Sequence, residues 1–115
     1  MEEKNVFLKF LKKKRIIDNI EKAGKELSID EVLLKKNTDL YIRDSISTLG
    51  TILLEDLNDH YYILSVKMGI GGSILTYGII TRKGEIASII TYGREGIIKQ
   101  GLAKKTVEKI KKALS

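Results

Sequence analysis

Few residues in this 115-residue chain have the means to do chemistry. The single histidine, His60, follows Asp56 and Asp59 in a stretch of turn formers, where it could serve as an acid–base group or as one corner of a metal site. One imidazole with nearby carboxylates falls short of either. No serine stands in a nucleophile-elbow context, and there is no cysteine, which removes thiol nucleophiles, thiolate zinc sites and disulfides together. The run Gly69-Ile70-Gly71-Gly72 has the glycine content of a phosphate loop. It lacks the Gly-Lys-[Ser/Thr] ending and leads into an apolar, strand-like segment, so it reads as a turn. We expect no catalytic residue, no metal and no cofactor. What remains is charge, concentrated in Lys12-Lys13-Lys14-Arg15 and in the lysines after the loop Gly93-Arg94-Glu95-Gly96.

The formal net charge of +6 is uneven. Residues 1–27 carry eight Lys/Arg against five acids, residues 94–115 seven against two, and the 66 residues between them six against eight. Basic termini around a slightly acidic middle point to an acidic protein surface, an anionic lipid headgroup or nucleic acid as partner. A nucleic-acid reading lacks aromatics interleaved with the basic runs and lacks a recognition-helix motif, so that partner is disfavoured. A chain of this length is expected to be one domain, 1–115, burying about two thirds of its unfolded surface. No apolar run approaches the roughly 20 residues that span a bilayer. The positive charges follow the first apolar patch, VFLKFL, where a secretory leader would place them before it. A cytoplasmic protein is therefore the expectation; a monomer is expected too, though nothing in the residues fixes the oligomeric state.

These residues need elements to hold them. Phe7, Phe10 and Leu11 at helical spacing predict a first helix over residues 3–14. Residues 15–27 either continue that helix to Gly24 or form a short hairpin around residues 21–24. Ser28-Ile29-Asp30-Glu31 has the form of a capping box and predicts a helix through Val32, Leu33 and Lys36, stopping near Asn37. From Leu40 the pattern changes to strands at 40–43, 50–56, 61–68, 74–82 and 85–92, with turns at Asn58-Asp59, Gly69 to Gly72 and Lys83-Gly84. Tyr61, Tyr62, Tyr77 and Tyr92 alternate with aliphatics and read as sheet-packing residues. The last helix carries Ala103, Val107, Ile110 and Leu114 on one stripe, with Leu102 and Ala113 at its edge. Lys104, Lys105, Glu108, Lys111 and Lys112 point the other way.

Four segments in order resemble the profilins, small proteins that bind actin monomers. They are GKELSIDEV at 24–32, LYIRDSISTLG at 40–50, TILLEDLNDHYYILSVKMGIGG at 51–72 and TYGIITRKGEIASIITYGREGIIKQGLAKK at 76–105. None is specific alone; the resemblance lies in their order and spacing over some 90 residues. It implies an α+β, profilin-like fold, with a central antiparallel sheet, N- and C-terminal helices together on one face and a small helix on the other. It implies an actin or actin-like monomer as partner, sequestered or delivered to filaments. It places the contact on Lys67, Thr76, Gly78, Ile97, Lys99, Gly101, Lys104, Lys105 and Glu108. Phosphoinositide binding, also known in the family, would fall on Lys12, Lys13, Lys14 and Arg15. The chain departs from the family in lacking tryptophan and an aromatic last helix, so binding of proline-rich ligands is expected to be weak or absent. The alternatives are a basic nucleic-acid- or anionic-membrane-binding module and a roadblock/longin-like interaction domain.

Overall fold

Alternation along the strands sorts the side chains into two layers, one on each face of a single sheet. The computed structural model describes residues 2–95 and 100–115. In chain order these form α1 (Glu3–Lys13), α2 (Ile20–Gly24), β1 (Ser28–Leu33), α3 (Asp39–Ser47), β2 (Gly50–Asp56), β3 (Tyr61–Met68), β4 (Ile74–Lys83), β5 (Ile86–Gly93) and α4 (Leu102–Leu114). The fold is α+β: five strands pair antiparallel in the order β1-β5-β4-β3-β2, with helices on both faces. β2 to β5 form a meander, while β1 is added beside β5 at the far edge.

Tyr62, Leu64 and Val66 of β3, Ile80 of β4 and Ala87 and Ile89 of β5 share one core with Ile42 and Ile46 of α3 and Val107, Ile110 and Leu114 of α4. Their neighbours in sequence, Tyr61, Ile63, Ile79, Ile90 and Tyr92, point to the opposite face. There they pack with Phe7, Leu8 and Leu11 of α1, Ile17, and Ala23 of α2. Each fully buried aliphatic or aromatic side chain contributes about 1.5–3 kcal/mol of transfer free energy. Three of the four tyrosines read as sheet-packing residues, Tyr61, Tyr62 and Tyr92, are buried, and Tyr77 packs half-buried against the α1 layer.

Three expectations are corrected. First, the terminal helices do not share a face: α1 lies on one side of the sheet and α4, with α3, on the other. A helical stripe shows that a helix has an apolar side, but not which sheet face that side meets. Second, residues 28–33 form an edge strand and not a helix. Asp30 Oδ1 accepts from the Glu31 amide at 2.8 Å, a local bond that competes with the capping arrangement, and six register pairs with β5 complete the strand. Third, residues 40–43 lie inside α3 and not in a strand. Thr38 Oγ1 caps that helix by accepting from the Tyr41 amide at 3.1 Å, and Ile42 and Ile46, four apart, are its buried face. In the open stretch 15–27, Asn19 caps the short α2 by accepting from the Lys22 amide.

Candidate docking surface

The first turn of α4 is held by groups that come from outside the helix. Gly101 takes the left-handed conformation at φ +65° and supplies no side chain for the free amides. Glu95 does this instead: Oε1 accepts from the Leu102 amide at 2.7 Å and Oε2 from the Gln100 amide at 2.9 Å. Those amides, with the Lys105 charge beyond them, hold the Glu95 carboxyl below the usual range. Underneath, Thr91 Oγ1 donates to the Ala103 carbonyl at 2.6 Å. The Thr106 and Thr76 hydroxyls lie 2.8 Å apart and share a hydrogen bond, with the Leu102 carbonyl 2.7 Å from Thr106 Oγ1 and the Val66 carbonyl 3.2 Å from Thr76 Oγ1 as the further acceptors. A methyl group on Gly93 would sit 2.9 Å from Leu102 Cβ, so glycine there lets the helix lie close to the sheet.

This seat aims the outer surface of α4 at solvent. Gly101, Lys104, Lys105 and Glu108 are brought together and, with Gln100, line a shallow depression of about 420 Å³. Lys104 and Lys105 have no salt-bridge partner among the described residues, whereas Lys111 is taken by Asp30 at 2.9 Å. Other residues of the expected contact lie elsewhere. Thr76 is fully buried in the threonine chain, and Gly78 is buried against Ile110, so both support α4 from below and present nothing to a partner. Lys67 pairs with Leu75 and has the parity of Tyr61 and Ile63, which places it on the α1 face, opposite Lys104 and Lys105. Ile97 and Lys99 lie outside the described residues. Lys12, Lys13, Lys14 and Arg15 are exposed at the C-terminal end of α1, on that same opposite face. Lys14 Nζ lies 5.9 Å from the centre of the Phe10 ring, and Arg15 leaves the helix at φ +60°. Cations in a last turn also complement the helix dipole.

Sequence reasoning missed the role of Glu95, because no motif links a carboxylate to a helix that begins seven residues later. It also placed His60 with the wrong carboxylates. Asp56 Oδ1 accepts from the Asn58 and Asp59 amides, both at 3.0 Å, and so builds the turn. His60 turns to Asp39 at the start of α3, with Nδ1 2.9 Å from Oδ2. Arg82 donates to the same carboxylate through Nε and Nη2, both at 3.3 Å, and the Tyr62 hydroxyl donates to the Asp39 carbonyl at 3.3 Å. Arg82 Nη2 is also 3.2 Å from Nδ1, which therefore faces one donor and one acceptor. With its proton on Nδ1, the imidazole donates to Asp39, the shorter contact. Burial alone would raise the Asp39 carboxyl, but the bonds from Arg82 and His60 outweigh it and hold it below the usual range. The cluster ties α3 to β3 and β4.

A larger cleft of about 730 Å³ opens between α2 and the end of β5, lined by Ile17, Asp18, Lys22, Glu26, Tyr92 and Arg94 among others. Its charges of both signs offset one another, and burial, then Glu26, pushes the Tyr92 hydroxyl up. Among the described residues no group of three or more His, Asp or Glu is placed to hold a metal ion, and no helix is long and apolar enough to cross a membrane. Compared with protein-family models, curated proteins and solved structures, the chain matches none.

Proposed function

We propose that this chain is a binding module for an acidic protein partner, docked on the outer surface of α4. The observation that carries the reading is the pairing of Lys104 and Lys105, both exposed and without a salt-bridge partner among the described residues, on a first turn that four buried or capping side chains hold rigidly. Two lysines so placed steer and pair with carboxylates, and Gly101 and Glu108 beside them limit which surfaces fit. An actin or actin-like monomer is the partner that the profilin resemblance implies, and regulation of its assembly by sequestration or controlled delivery is the activity. Such a role places the protein in the cytoplasm. No bond is made or broken; an effect on the partner would follow from binding one of its conformations better than another.

The placement of charge supports a protein partner over a nucleic acid or a bilayer. Lys12 to Arg15 and the lysines of α4 lie on opposite faces of the sheet, so one duplex or one membrane surface could not meet both at once. Anionic lipid would approach only the α1 face. The same separation disfavours proline-rich ligands: Phe7 is fully buried, Phe10 lies under Lys14, and α1 and α4 form no shared groove.

The test is the assembly of pyrene-labelled actin with and without the protein, at low and at physiological ionic strength. A dose-dependent slowing that weakens with salt is expected. No effect in either salt would remove actin as the partner.

A further inference from the structure

The two faces of the sheet are not equally covered. On one, α3 and α4 together span all five strands of the core. On the other, α1 covers the centre, and the five-residue α2 stops short of the β1 edge. Ile29 and Leu33 of β1 and Ile86 of β5 are left 62%, 67% and 40% exposed. Their register puts them on the α1 face: Ile29 is opposite Ile90 of that core, Leu33 is four residues further along the same strand, and Ile86 is opposite Leu33. Glu31, exposed, stands between the two β1 aliphatics.

The dimensions of this bay suit one helix. β1 is two strand spacings from β4, about 10 Å, which is the distance at which helices pack side by side on a sheet. Ile29 and Leu33 are roughly 13 Å apart along the strand, the rise of about two and a half helical turns. The alternative, addition of another strand along the edge, meets an obstacle. The Leu34 amide donates to the Glu85 carbonyl at 2.8 Å, so the even-numbered amides face β5 and the odd-numbered ones face outward. The outward amide of Glu31 is already taken by Asp30 Oδ1, and Asp30 is fixed by Lys111. The middle of the edge is therefore closed to pairing, as edge strands commonly are.

We infer that the aliphatic bay formed by Ile29, Leu33 and Ile86 around Glu31 docks an amphipathic helix of another protein, one that carries a basic residue in the middle of its apolar stripe. Glu31 is the central charge, and Lys83, opposite Ile86 on the next strand, is already neutralised by Glu3. A basic side chain crossing the patch would meet Glu31, and leucines on either side would cover Ile29 and Leu33. This surface is on the face opposite Lys104 and Lys105 and does not depend on what binds there.

The experiment is an NMR titration of the isotope-labelled full chain with a synthetic helical peptide of about 14 residues, the length at which isolated helices become marginally stable. The peptide carries leucines at i, i+4 and i+7 with an arginine between them, and a second peptide has glutamate in place of the arginine. We expect amide shifts concentrated at residues 29–33 and 86–88. Leu33→Lys and Leu33→Ser should weaken binding about tenfold or more, as the loss of one buried leucine would. Glu31→Lys should invert the preference between the two peptides, while Lys104→Glu with Lys105→Glu should leave it unchanged. Ile29 and Leu33 are exposed, so these variants should keep their melting temperatures. Absence of shifts, shifts on α4, or equal binding of both peptides by the wild type would overturn the assignment. So would a concentration-dependent self-association lost in Leu33→Lys, since the bay would then belong to a second copy.

Discussion

The carboxylate of Glu95 sits on the amide of Leu102 at 2.7 Å, so the helix that carries the docking surface is capped by a residue two positions beyond the strand before it. A free helix start attracts anions, and here the anion is built in. This also explains how two lysines can occupy the first turn, where the dipole alone disfavours them. Glu95→Ala should cost about 1 kcal/mol, the usual worth of an N-cap. The measurement is chemical denaturation, and an unchanged midpoint would show that the cap contributes nothing.

Thr76 separates a structural role from a contact role. The resemblance places it in the partner interface, whereas the structure buries it beneath α4, its hydroxyl hydrogen-bonded to that of Thr106 and to the Val66 carbonyl. Thr76→Val keeps the shape and removes the hydroxyl. It should lower stability by about 1 kcal/mol and leave partner affinity unchanged once the protein is folded. Lost affinity at unchanged stability would return Thr76 to the interface.

Gly93 sets how closely α4 approaches β5. A methyl group there would meet Leu102 Cβ at 2.9 Å and the Ala103 amide nitrogen at 3.1 Å, so an added side chain must push the helix start outward. Gly93→Ala should destabilise by about 1–3 kcal/mol, as overpacking does, and should weaken partner binding beyond its effect on folding. A variant as stable as the wild type would mean that the helix start moves freely.

Acid should act on the cluster that ties α3 to the sheet. Burial opposes ionisation of Asp39, but Arg82 and His60 more than compensate, so its folded pKa lies below the unfolded one. A group shifted this way stabilises the fold fully above its unfolded pKa, about 3.9, and that contribution is lost as pH falls through the lower folded value. Stability measured from pH 7 to pH 2 should therefore fall mainly below about pH 4. Asp39→Asn should be less stable at neutral pH and show a shallower acid slope. Parallel curves would exclude Asp39 as a source of the acid sensitivity.

Long periodic segments were legible in the sequence, and short ones were not. β2 to β5, α1 and α4 stand where alternation and helical spacing place them, to within a residue or two. β1 and α3 exchange their expected types, because each is short and its local signal was overruled. Pairing with β5 overrode the Ser28 capping pattern, while Thr38 and the Ile42–Ile46 spacing were the helix signal hidden in a strand-like run. Of the site, the exposure of Lys104, Lys105 and Glu108 followed from the helical wheel alone. The burial of Thr76 and Gly78, and the placement of Lys67 on the other face, depend on which side of the sheet α4 chooses. That choice is made by packing between elements distant in the chain.

The most direct test compares the slowing of pyrene-actin assembly by the wild type, by Lys104→Glu with Lys105→Glu, and by Lys12→Glu with Lys13→Glu. All four lysines are exposed, so each double variant should keep its stability within about 0.5 kcal/mol. The wild type and the Lys12/Lys13 variant should slow assembly alike, and the Lys104/Lys105 variant should not. Equal slowing by all three would contradict docking on α4.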